Sequence, residues 1–121
     1  MMMSSKDFAT WQRAVLPLLL LQEIKGGATH GYALGKALIG RGFEPIKGAT
    51  LYPALAKLEE AGYLETHWQD GDGGPGRKMY AITAEGEQRL AQLETSWKQF
   101  VEQVALLPAD VCGALILRDG Y

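Results

Sequence analysis

The chain has 121 residues, enough for one small hydrophobic core and too few for two comfortable domains. An apolar fraction of 47% and a charged fraction of 21% are typical of a soluble globular protein, not of a disordered or membrane-embedded one. The net charge of −2 argues against nucleic acid only until its distribution is read. Residues 1–24 balance at zero. Residues 25–57 carry Lys25, Lys36, Arg41, Lys47 and Lys57 against Glu44 alone, a balance of +4. The remainder, with five cations and eleven carboxylates, stands at −6. A basic stretch beside an acidic remainder is an electrostatic footprint for a polyanion that the total charge conceals. Cys112 is the single cysteine, so an internal disulfide is impossible and nothing points to an oxidising compartment.

Met1–Ser5 is expected to fray. A helix should begin near Ser5 or Lys6 and reach about Ile24, with Trp11, Val15, Leu18, Leu19 and Leu21 on a broad apolar face. Pro17 should kink this helix or split it. The run Ala14–Leu21 is too short to span a bilayer. It imitates a signal peptide only weakly, because Gln22, Glu23 and Lys25 follow at once without a small-residue cleavage site. A cytoplasmic protein without membrane contact is the expectation. Gly26-Gly27 ends the first helical region, and a second helix should run from about His30 to Ile39, closed by Gly40 and Gly42. Tyr32, Leu34 and Leu38 are spaced for burial along it.

Gly48–Leu64 is the most informative stretch. Leu51, Leu55 and Leu58 recur at i, i+4 and i+7, widened by Ala54 and Ala61, which gives one apolar helical face. Thr50 is the expected N-cap, with Pro53 in the first turn and Gly62 ending the helix in the left-handed conformation. The opposite face carries Ala49, Thr50, Pro53 and Lys57, with no carboxylate until Glu60. Such a face can approach a phosphate backbone. Two short helices, a tight connection and a third helix make a helix-turn-helix pattern in which this third helix reads.

Tyr63–Gln69 and Lys78–Thr83 read as strands, joined by a glycine-rich tip, Asp70–Arg77. The tip matches neither of the loops it imitates. Gly71–Gly76 has the spacing of a phosphate-binding loop, but Arg77 and Lys78 stand where Lys and Ser or Thr are needed. Asp70, Asp72 and Gly74 imitate a calcium loop, but Pro75 and Ala81 replace its Gly and closing Glu. A wing is the better reading, with Arg77 and Lys78 reaching phosphates or a minor groove. His30, His67 and Cys112 lie too far apart in sequence for a metal-ligand motif, and no Ser/His/Asp arrangement can be drawn. No metal, cofactor or catalysis is expected.

Thr83 should cap a last helix, with Glu85 and Glu87 in its first turn. Leu90, Leu93, Trp97, Phe100, Val104 and Leu107 then step by 3, 4, 3, 4 and 3, an a/d seam that favours a partner helix. Pro108 stops it. Residues 6–83 thus form the expected DNA-binding domain, 84–107 a dimerisation helix and 108–121 a tail of underived structure, with an apolar knot at Ala114–Leu117.

Four motifs in this order resemble the PadR family of bacterial transcriptional regulators. They are H-G-Y-A-L (His30–Leu34), G-A-T-L-Y-P-A-L-A-K-L-E-E-A-G-Y-L (Gly48–Leu64), G-G-P-G-R-K-M-Y-A-I-T-A-E-G (Gly73–Gly86) and the Trp97-containing helix. The resemblance covers about residues 12–107. It implies a mainly α fold with a small β-hairpin: a winged helix-turn-helix with a C-terminal dimerisation helix, of the compact branch. It also implies a dimeric repressor released by a small aromatic effector. The residues matching Thr50, Leu51 and Tyr52 open the family's recognition helix, and those matching Arg77, Lys78 and Tyr80 lie on its wing. Gly48 and Ala49 stand where relatives often carry polar residues, which implies fewer base-reading contacts.

Residues expected at double-stranded DNA are Tyr32, Lys36, Lys47, Thr50, Leu51, Tyr52, Pro53, Lys57, Arg77 and Lys78. A homodimer would set two recognition helices about 34 Å apart, matching a palindromic operator. Trp97 is too wide to interdigitate at an a position, so paired helices should splay there. The gap, with Leu93, Val101 and Val15 as neighbours, would suit a planar aromatic small molecule. The alternative is a winged-helix protein-interaction module without DNA binding, favoured by the acidic second half and opposed by the basic segment.

Overall fold

The structure, a computed structural model, describes residues 5–71 and 73–106. Residues 1–4, on which the expected fraying falls, Asp72, Leu107 and the tail from Pro108 lie outside the described residues. In chain order, α1 (Ser5–Ala14), α2 (Leu16–Lys25), α3 (Gly31–Gly40) and α4 (Gly48–Glu60) are followed by β1 (Leu64–Gln69), β2 (Arg77–Ile82) and α5 (Ala84–Val104). The chain divides into two compact units, one reaching Leu90 and the other starting at Ala91, within α5. Among the described residues no helix is long and apolar enough to cross a membrane.

Pro17 divides the first helical region in two. Val15 takes φ −101° and ψ 10°, and Pro17 sits at the start of α2, where its missing N–H leaves nothing unpaired. The break turns α1 so that Gln12, not Trp11, faces inward: Gln12 is 7% exposed and Trp11 59%. Trp11 is therefore not a core residue as its spacing predicts. The Gln12 side chain has both ends bound to one backbone unit, donating to the Glu44 carbonyl at 3.0 Å and accepting from the Glu44 N–H at 2.8 Å. This amide ties the connection between α3 and α4 to α1.

The core of the first unit is aliphatic. Leu20, Leu21 and Ile24 of α2, Leu34 and Leu38 of α3 and Leu55 of α4 are essentially inaccessible to solvent. Each such side chain contributes about 1.5–3 kcal/mol on burial. α2 is the central element, packing on α3, α4 and β2, while α4 also packs on β1. Both α3 and α4 end in the same device. Gly42 and Gly62 adopt φ of 99° and 87°, and the residue after each donates back to a carbonyl five positions earlier, Phe43 to Leu38 and Tyr63 to Leu58.

The start of α4 differs from expectation. Lys47, extended at φ −70° and ψ 148°, is the N-cap residue, and its carbonyl accepts from both Thr50 and Leu51 at 2.9 Å. Gly48 and Ala49 are thus helical, and Pro53 lies inside the helix, one turn later than a Thr50 cap would place it. The proline cannot donate to the Ala49 carbonyl, which stands on an exposed residue where water reaches it.

β1 and β2 pair antiparallel from Leu64↔Ile82 to Gln69↔Arg77. Arg77 therefore belongs to the strand, not to the tip. β2 has a partner on its other side as well: Thr29 and Tyr80 exchange two backbone bonds, of 3.0 and 2.7 Å. Thr83 caps α5 as expected, accepting from the Gly86 N–H at 3.0 Å and donating to the Gly62 carbonyl at 2.6 Å. Gly86 is needed there, because a Cβ would run into the Tyr63 carbonyl and lie 2.7 Å from Ile82. Gly86→Ala should therefore destabilise the protein by about 1–3 kcal/mol, read from the urea midpoint at constant slope. An unshifted midpoint would mean that the α5 start is not wedged against the Gly62–Tyr63 turn.

Candidate nucleic-acid interface

The two bonds between Thr29 and Tyr80 bring three elements to one groove. Its walls are His30, Gly31 and Tyr32 at the start of α3, Tyr52 and Ala56 of α4, and Arg77, Lys78 and Tyr80 of β2. The open space among them is about 560 Å³. Close approach of α3 and α4 depends on Gly31, since a Cβ there would lie 2.5–2.7 Å from the Tyr52 ring and hydroxyl. Tyr52 nevertheless remains half exposed and lines the groove.

The polar groups are arranged unevenly. His30 is the N-cap of α3, its Nδ1 accepting from the Ala33 N–H at 3.3 Å. Its Nε2 lies 2.9 Å from Nη1 of Arg77. Lys78 reaches Glu59 of α4 at 3.5 Å, a half-exposed pair of small energetic value. The Lys78 ammonium also lies 5.7 Å from the centre of the Tyr80 ring. Burial pushes the Tyr80 phenol up from its ordinary value, opposed by the neighbouring Lys78 and reinforced by Glu59. It stays a neutral donor at neutral pH. Lys36 lies over the Tyr32 ring at 5.2 Å, and Tyr32 is 68% exposed rather than buried with Leu34 and Leu38.

Most residues expected at DNA lie on accessible surface. Tyr32, Lys36, Lys47, Tyr52, Pro53, Lys57, Arg77 and Lys78 are exposed, and Thr50 is half-buried. Leu51 is the exception. At 4% exposure it belongs to the Leu51/Leu55/Leu58 stripe, whose i, i+4, i+7 spacing turns all three into the core and away from any base. Thr50, instead of capping α4, lines a second groove with Gln12, Arg13 and Lys47 at the helix start. His30 was not among the expected interface residues. Its place directly before Gly31 was the available signal, because a cap residue stands at the mouth of its helix.

The seam residues separate along α5. Leu90 is 2% exposed and lies in the first unit, so its apolar surface is already covered and it is not available to a partner helix. In the second unit Leu93 is half-buried, while Trp97, Phe100, Val101 and Val104 are 42, 61, 41 and 66% exposed. The Trp97 and Phe100 rings stand 6.2 Å apart at 33°. Val15 lies in the first unit, at the break between α1 and α2. Leu107 is outside the described residues. Among the described residues no group of His, Cys, Asp and Glu could hold a metal ion.

The grooved first unit has clear relatives. Residues 20–92 match the family described as the transcriptional regulator PadR-like family. A protein of Lysinibacillus sphaericus described as uncharacterized is 31% identical over 97 residues, 78% of this chain and 88% of its own length. A PadR family transcriptional regulator from Eggerthella lenta superposes with a TM-score of 0.72 at 35% identity, over 78% of this chain and 82% of that one. A transcriptional regulator from Clostridium thermocellum gives the same TM-score at 27% identity, over 78% and 94% of the two chains. The hairpin pinned to Thr29 is the wing, α3 and α4 are the helix-turn-helix, and the chain belongs to the PadR-like family of transcriptional regulators.

Proposed function

We propose that this regulator binds a palindromic operator as a homodimer, represses from it, and is released by a planar aromatic effector. The observation that carries DNA binding is the convergence of α3, α4 and β2 on one groove whose accessible side chains, apart from Ala56, are cationic or aromatic. Lys57 extends that surface along α4, and Lys36 along α3. Cations supply the sequence-independent attraction to phosphates, and the exposed face of α4 that carries Ala49, Pro53 and Lys57 would enter the major groove. With Gly48 and Ala49 at the helix start, few side chains there reach base edges, so shape and deformability of the operator carry more of the specificity. Replacing Arg77 and Lys78 by Ala should lower the log–log salt slope of binding by about 0.9 per lost phosphate contact. Mobility shift at several salt concentrations measures this. An unchanged slope would take the wing off the DNA.

Self-association is supported by the second unit, where four large apolar side chains of α5 are exposed within two turns or so of one another. Surface of that kind is covered in most soluble proteins, and heptad-like spacing suits a second copy of the same helix. Phe100→Glu would place a carboxylate against apolar neighbours, at a cost of several kcal/mol if unpaired. Sedimentation should then report a monomer. A dimer persisting at micromolar concentration would exclude this face as the contact.

The effector reading rests on Trp97, with Phe100 beside it and Leu93 and Val101 on the same helix. A flat aromatic guest stacked on an indole gains about 0.5–1.5 kcal/mol beyond area burial. It would regulate by preferring one spacing of the two recognition helices over another. Titration with planar aromatic compounds should quench tryptophan fluorescence, and Trp97→Phe should abolish that quenching. Trp11 and Trp68, 59 and 70% exposed, provide the unquenched background. Undiminished quenching in Trp97→Phe would move the effector site elsewhere.

A further inference from the structure

The contact between His30 and Arg77 contains a conflict that the chain alone does not resolve. The Ala33 backbone N–H can only donate, so the His30 Nδ1 that it approaches at 3.3 Å must accept. A neutral imidazole carries one N–H, which must then be on Nε2. Arg77 has donors only, and its Nη1 stands 2.9 Å from that same Nε2. Two N–H groups face each other with no acceptor between them. Moving the proton to Nδ1 satisfies Arg77 and sets the conflict against Ala33 instead. Protonating both nitrogens loses both bonds and adds a like charge. No state of His30 satisfies its two neighbours at once.

An anionic oxygen inserted between Nε2 and the guanidinium, with the exposed Arg77 side chain drawn back to admit it, removes the conflict, because it accepts from both together. The contact opens onto the groove that Tyr52 and Lys78 also line, while the other residues expected on DNA lie on the same unit. We propose that His30 and Arg77 form a two-donor seat for one phosphate oxygen of bound DNA, with the Ala33 bond holding His30 in the tautomer that donates from Nε2. This rests on the DNA-binding reading above and adds a residue that carries no net charge to it. His30 would thereby place the start of α3 against the strand backbone at a fixed register, as phosphate contacts do.

The experiment uses the full chain and random-sequence duplex DNA, since a phosphate contact does not depend on sequence. Binding is measured across salt for the wild type, His30→Asn and Arg77→Ala. Asn is a strong N-cap and retains the Ala33 bond, but it lacks the Nε2 donor. Affinity should fall roughly three- to tenfold in His30→Asn with the salt slope unchanged, because an uncharged donor releases no counterion. Arg77→Ala should weaken binding and lower the slope by about 0.9. If Arg77→Ala leaves the slope unchanged, both the wing contact and this seat fail. If that slope falls and His30→Asn binds as the wild type does, Arg77 meets DNA and the two-donor seat alone is overturned. A second readout is independent of affinity and of folding in the variants. Nitrogen-15 spectra of histidine-labelled wild type bound to DNA should report His30 with its proton on Nε2; a proton on Nδ1 would overturn the seat.

Discussion

Two backbone hydrogen bonds between Thr29 and Tyr80 organise the functional face of this protein. They fasten the second strand of the hairpin to the segment that leads into α3, so the hairpin is held from both sides instead of projecting as an isolated ribbon. A two-stranded hairpin by itself is marginal in water. With Tyr80 buried on the core and Thr29 paired beyond it, β2 is bonded on both edges at this one residue. The groove exists because that pairing sets β2 side chains opposite the entry of α3, while Gly31 lets Tyr52 of α4 come against the same spot.

The helical periods were readable because burial enforces them. Leu34, Leu38, Leu55 and Leu58 lie where their spacing puts them, and Gly62 ends α4 as its lack of a side chain permits. The break at Pro17 was equally legible, since proline chemistry is local. The start of α4 was not, because a cap is decided by how the preceding connection is held. Gln12, thirty-two residues away, binds the Glu44 backbone just before Lys47. Side-chain oxygens near a helix start identify candidates for a cap, and tertiary contacts choose among them.

The candidate interface was legible where exposure follows from charge, as at Lys36, Lys57, Arg77 and Lys78, and illegible where it follows from packing. Leu51 has two plausible roles in a linear reading, one from its family position and one from its apolar spacing. Only the latter is compatible with 4% exposure. Tyr32 erred in the opposite direction: its spacing matches the buried stripe, yet its ring lies outside beneath Lys36. Aromatic residues with a polar tip are the ones for which periodicity decides least. Leu90 belongs to a heptad pattern that continues past it, but the helix passes from one compact unit into the next there, and the same spacing serves two different surfaces.

The interior proline of α4 has a mechanical consequence for how the helix meets a surface. Pro53 removes one rung of the hydrogen-bond ladder, between itself and Ala49, and relieves the Ala49 carbonyl of a helical partner. Residues 48–50 are thereby joined to the rest of the helix by one bond fewer than an uninterrupted helix would supply. Leu51, Leu55 and Leu58 meanwhile anchor the helix in the core from its fourth residue onward. The attachment of α4 to the core is thus made by side-chain packing from Leu51 onward, and the turn ahead of it is tied on chiefly by the Lys47 carbonyl and the remaining ladder.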